Sequence, residues 1–150
     1  MIYDLTQYSL SIVPDDPELT QLVSVVGGMV VTSANGNGID KIEISLNTDQ
    51  WSTKGYANGA WEHNKSYDRT GSASVSLSQL SEAISRFSKF CNLWYSGNYN
   101  GMTLSITNNA TGACVCICYD CYITKIPNQV FAESAGTQEW SFTCGFVDFQ

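Results

Sequence analysis

Apolar and polar residues alternate along much of the chain. A period of two marks strands with one buried face. In "YSLSIV", Tyr8, Leu10 and Ile12 share a face. In "DKIEISL", Ile42, Ile44 and Leu46 oppose Lys41, Glu43 and Ser45. In "SASVSLS", Val75 and Leu77 face one way and serines the other. "MTLSIT" and "ACVCICYDCYITKI" read as a hairpin around Asn108–Gly112, ended by Pro127. A last strand, "TQEWSFTCGFVDFQ", puts Trp140, Phe142, Cys144 and Phe146 on one face. "VSVVGGMVV" is apolar but broken by Gly27 and Gly28, which predicts a bulged strand or a strand pair, and "SANGNG" is a turn.

One segment changes period. Leu77, Leu80, Ile84, Phe87, Cys91 and Trp94 recur every three or four residues, predicting a helix over about 78–95 that packs on the sheet. Ser78 suits its N-cap and Gly97 its stop, with Glu82 near the start and Arg86 and Lys89 near the end. Residues 49–70, "DQWSTKGYANGAWEHNKSYDRT", have no period. They predict a long irregular loop, of the kind that is usually functional or mobile. The chain has 150 residues and no linker, repeat or low-complexity tract, so a single domain over 1–150 is expected. The fold class is mainly β, a sandwich or barrel with one flanking helix.

Charge narrows the partners. Only 14% of residues are charged and the formal net charge is −7, scattered singly. A nucleic-acid binder needs a basic face to displace counterions, and this chain lacks the composition for one. No run of about 20 apolar residues suggests a membrane span. The N-terminus lacks the basic and apolar regions of a signal peptide, so synthesis in a reducing cytoplasm is expected. There, the six cysteines are expected as thiols. The triplets at Asn64 and Asn109 that match a glycosylation pattern then read as chance.

Four cysteines crowd "GACVCICYDCY": Cys114, Cys116, Cys118 and Cys121. In a strand the first three share a side, spaced about 7 Å apart, too far to grip one zinc ion together. Only Cys118 and Cys121 have knuckle spacing, and no second knuckle or nearby His completes a site. The cysteines are expected to pack as small hydrophobes in a strand buried on both faces. No metal, cofactor or catalytic set is expected: the chain lacks a nucleophile elbow, a Walker loop and a dinucleotide fingerprint. His63 is the only histidine and has no fixed partner in sequence. Asp15-Asp16, beside Pro14 and Pro17, reads as a solvated turn.

Several blocks together resemble one family. These are "YDLTQYSLSI", the stretch from Asn35 to Leu77, the helix, and the stretch from Thr111 to Phe149. Within them fall Asp49, Trp51, Ser52, Gly59, Thr70 and Gly71, and a closing set of Lys125, Pro127, Gly136, Glu139, Trp140 and Phe142. In order and spacing they resemble bacteriophage tail tube proteins of contractile-tailed phages and prophages; the cysteine-rich strand departs from that pattern. The resemblance implies a structural virion protein, made in the host bacterial cytoplasm. Stacked hexameric rings would form the inner tube that conducts DNA without binding it specifically. Partners would be other copies of the chain, tail sheath, baseplate and tail terminator proteins, with no membrane. Trp51, Lys54, Tyr56, Trp61, His63 and Tyr67 are the candidate contacts between subunits or rings. Asp40 and Glu43 are candidates for the lumen. The alternative is a phage carbohydrate-binding or adsorption module with Trp51, Tyr56 and Trp61 as its platform.

Overall fold

The structure, a computed structural model, describes residues 2–16, 18, 29–32, 38–97 and 99–150. The strands are β1 (Tyr8–Pro14), β2 (Met29–Thr32), β3 (Ile39–Leu46), β4 (Trp51–Gly55), β5 (Trp61–Lys65), β6 (Gly71–Ser78), β7 (Met102–Asn108), β8 (Ala113–Ile123) and β9 (Thr137–Phe149). Helix α1 (Glu82–Ser96) follows β6. Seven strands form one antiparallel sheet in the order β2-β1-β7-β8-β9-β6-β3, while β4 and β5 pair only with each other. Of the apolar "VSVVGGMVV", only 29–31 are described; Gly27, Gly28 and the turn before Gly38 lie outside the described residues.

Alternation becomes two unlike sheet faces. Ala73, Val75 and Leu77 of β6 are buried, as are Gln138, Trp140, Phe142 and Cys144 of β9. The intervening residues form hydroxyl-rich cross-strand rows. Ser74 pairs with Glu43 and Ser141, Ser72 with Ser45 and Thr143, and Ser76 with Lys41 and Glu139. The other flank repeats this in part: Leu10, Ile12 and Leu104 are buried, while half-buried Ser11 pairs with Ser105; Ser9, opposite Thr107, is buried as well. Gly71 has a packing reason: an added Cβ would collide with the Ser45 carbonyl and the Val147 side chain.

Helix α1 starts four residues later than its pattern predicts. Ser81, not Ser78, is the N-cap, its side chain accepting from the Ala83 N–H. Sheet pairing wins over helix start, because β6 and β9 remain in register to Ser78↔Thr137. Leu77 therefore belongs to the sheet and Leu80 is 79% exposed. The face that packs is Ala83, Phe87, Phe90 and Cys91. Phe87 meets Trp140 at 5.3 Å and Phe142 edge-on at 5.6 Å. Burying one such side chain is worth about 1.5–3 kcal/mol. Neither Arg86 nor Lys89 lies in the last turn, and the helix leaves at Gly97 through extended backbone (φ −157°) rather than a left-handed turn.

The cysteine strand is buried on one side, not both. Val115 and Tyr119 are 39% and 42% exposed. Cys116 and Cys118 are buried, but Cys114 is only half-buried, beyond a register slip between Ile106 and Thr107. A second irregularity restores a thiol to the core. Asp120 takes φ +54°, a conformation that Asp tolerates better than most residues. The β8–β9 register skips Asp120 and Gly145, passing from Tyr119↔Phe146 to Cys121↔Cys144. Cys118 and Cys121, three apart, are consequently both buried.

Candidate assembly surfaces

Residues 49–70 are not an irregular loop. The β3–β6 pair continues past Leu46 and Gly71 as an arm. The Asn47 N–H donates to Thr70 O at 3.0 Å and the Ser66 N–H to Gln50 O at 2.8 Å. Asp68 organises this root: its carboxylate accepts from Thr48 Oγ1 at 2.7 Å, the Thr70 N–H at 2.9 Å and Thr70 Oγ1 at 2.7 Å. Hydrogen bonds from Thr70 and Thr48 hold its pKa below the usual carboxylate value. Arg69 ties the root to the sheet, donating to Val147 O at 2.7 Å with its guanidinium 5.1 Å from the Phe146 ring.

Beyond the root, β4 and β5 form a hairpin whose strand residues are all exposed. The turn closes with the Tyr56 N–H donating to Ala60 O at 2.9 Å, while Gly59 supplies φ +87°. Register sorts the predicted contact residues. Trp51, Thr53 and Gly55 pair with Lys65, His63 and Trp61. Pairing and strand alternation therefore place Trp51, Trp61 and His63 on one face. Lys54 pairs with Glu62 on the other. Tyr56 goes with that second face: its ring lies 5.2 Å from Lys54 Nζ, and its hydroxyl bonds to Glu62, which raises its pKa. Trp51, Tyr56 and Trp61 thus do not make one platform. Tyr67, 82% exposed, joins Trp51 through Lys65, whose Nζ is 5.1 Å from the first ring and 5.6 Å from the second. His63 Nδ1 and Thr53 Oγ1 are 2.8 Å apart.

Sequence reasoning missed Lys65, Glu62, Thr53 and Arg69. Folding the segment back around Asn58-Gly59 would have paired the first three with their partners. The two candidate lumen residues separate. Glu43 lies on the hydroxyl face and pairs with Lys41, Nζ to Oε2 2.8 Å. That hydrogen bond lowers the Glu43 pKa and raises that of Lys41. Asp40 falls in the slip between Ile39 and Lys41, exposed and without a register partner. Among the described residues no cluster of His, Cys, Asp and Glu is arranged to hold a metal, and no helix is long and apolar enough to cross a membrane.

The family model described as bacteriophage PhiTE tail tube protein matches residues 18–150. No curated protein matches the chain significantly. Among solved structures, the chain is similar over its whole length to the tube-terminating cap of the anti-feeding prophage, with TM-score 0.56, 10% identity and 93% of that chain covered. It is similar at the same TM-score to a chain of the sheath-tube complex of the extracellular contractile injection system PVC, with 10% identity and 92% covered. A chain of the PVC sheath/tube terminator gives TM-score 0.56, 11% identity and 97% covered. At these identities the likeness is one of fold.

Proposed function

Because the chain belongs to the bacteriophage PhiTE tail tube protein family, we propose that it closes into rings of six, which stack into the inner tube of a contractile tail and let DNA pass through the bore. A tail tube protein is a structural part of the particle and not an enzyme. The finer reading rests on the β4–β5 arm. A two-stranded hairpin alone is marginal in water. This one keeps Trp51 and Trp61 56% and 70% exposed, with no core beneath them. Aromatic side chains shown to solvent in this way mark a surface that a partner covers.

In a tube that partner is a copy in the next ring, since a head-to-tail contact builds an open filament. Trp51, Trp61, His63 and Tyr67 supply one contact surface, with Lys54 and Tyr56 on the reverse. The hydroxyl face suits a bore. Its Ser and Thr carry no charge to grip phosphate, Lys41 among them is paired with Glu43, and each copy adds a formal −7. Acidic walls repel DNA over about 8 Å at physiological salt. Glu43 lies on this face, next to Lys41, and Asp40 lies at its margin. A sheath outside the tube, a terminator at one end and a baseplate at the other complete the proposed partners.

The test shortens the arm. Replacing residues 53–63 with a two-residue Asn-Gly turn joins Ser52 to Asn64, an existing register pair. The variant should fold, with an unchanged circular dichroism melt for the body, and form no tubes by negative-stain electron microscopy where the full chain does. Tubes from the shortened variant would remove the arm from the stacking contact.

A further inference from the structure

We propose that Cys121 and Cys144 form an oxidation site, closing to a disulfide that staples β8 to β9 beside the break in their ladder. The two residues are register partners, and the Cys121 thiol donates to Cys144 Sγ at 3.1 Å. Directly opposed residues of antiparallel strands have Cα atoms about 4.5–5.5 Å apart, within the roughly 4.4–6.8 Å that a disulfide accepts. The other cysteines of β8 have no cysteine as a register partner. On β9, Cys116 and Cys118 pair with Phe149 and Val147; on β7, with Ile106 and Leu104.

Cys118 completes a buried thiol triad, in hydrogen-bond contact with both members of the pair. Hydrogen bonds among the three sulfurs stabilise a thiolate within the triad, and whichever of Cys121 and Cys144 gives up its proton is the attacking sulfur. Cys121 and Cys144 are 0% and 3% exposed. Immediately beside this rung, however, Asp120 and Gly145 are exposed and outside the register. Local opening at that break admits a small oxidant such as a peroxide.

The chemistry balances. The thiolate of one member attacks one oxygen of hydrogen peroxide and the O–O bond breaks, giving a sulfenic acid and hydroxide. The sulfur of the other member, 3.1 Å away in the reduced pair, then displaces the sulfenic hydroxyl, forming the S–S bond. The two thiols lose two electrons and two protons, and the peroxide leaves as two waters. A reducing compartment keeps the pair open, and an oxidising one closes it. The bond would hold β8 against β9 where Asp120 and Gly145, one on each strand, contribute no rung.

Lys125 separates the partners in sequence, and Cys144 is the only cysteine after it. The folded full-length chain is treated with hydrogen peroxide, remaining thiols are blocked, and the protein is digested with trypsin for mass spectrometry. The expected product is the Cys144 peptide joined to the one carrying Cys121, two hydrogens lighter than their sum and released by reductant. Cys118→Ser should retain the junction and Cys121→Ser should lose it. Fragmentation of the joined wild-type peptide places the bond without any variant, should Cys121→Ser fail to fold. Absence of a joined peptide, or a bond placed on Cys91, Cys114, Cys116 or Cys118, overturns the proposal.

Discussion

The β3–β6 arm has two ends that obey different rules. At the inner end, β3 and β6 bury Ile39, Val75 and Leu77 under the sheet's apolar face. At the outer end, β4 and β5 use the same antiparallel pairing and bury no residue. The inner end is stabilised within the chain by the hydrophobic effect. The outer end has a ladder, a few ring–ammonium contacts and a threonine–histidine hydrogen bond, each worth about 1 kcal/mol or less at an exposed site. One chain thus contains strands specified by its own core and strands whose apolar side chains still lack a cover. In the proposed tube, the second kind is where a neighbouring copy would add stability.

That contrast can be broken first by mutating the core beneath the sheet and then the outer end. Phe87→Ala removes the ring that Trp140 and Phe142 pack against, and should cost about 3–5 kcal/mol in guanidinium unfolding of the monomer. Trp61→Ala should change the same measurement by no more than about 0.5 kcal/mol. Comparable losses would mean that the arm is part of the monomer's core.

In the assembled state the ranking should reverse for Trp61. A buried aromatic anchor carries about 2 kcal/mol or more of an interface. Trp61→Ala should then raise the concentration needed for tube growth by roughly thirtyfold. Light scattering against protein concentration measures this, and an unchanged onset would place the anchor elsewhere.

A smaller effect tests the joint between the ends. The folded-state pKa of Asp68 lies below its unfolded value, chiefly because Thr70 hydrogen-bonds it. A depressed carboxylate contributes stability above the unfolded pKa, about 3.9. That contribution is lost as pH falls through the lower folded value. The arm root should therefore loosen below about pH 4 while the sheet persists, seen as faster amide exchange at Thr70 than at Val75. Asp68→Asn should move the root to its loosened behaviour at neutral pH.

The same contrast explains what could be read from sequence. "SASVSLS" was legible because one face of β6 is buried, and burial is what writes a period of two into a sequence. "WSTKG" and "WEHNK" carry no such period because neither face is buried in the chain; only the Asn58-Gly59 turn signal was present. The helix was legible from Phe87 and Cys91, but its start was not. Ser78 and Ser81 are equally good caps, and a strand pairing 59 residues away in sequence, at Thr137, decides between them. Burial of Cys116 and Cys118 follows from alternation; that Cys121 shares their face does not, because one left-handed residue, Asp120, breaks the strand's parity. Among the candidate contacts, the tryptophans were visible as isolated aromatics. Lys65 and Glu62 acquire their roles only through the register.

The most direct measurement is hydrogen exchange of residues 51–65 in the monomer and in the tube. In the monomer, exposed hairpin amides with no core beneath them should exchange rapidly, while those of β6 and β9 are protected. In the tube, the same hairpin amides should become strongly protected. Equal exchange in both states, with the tube verified by microscopy, would contradict a stacking role for the arm.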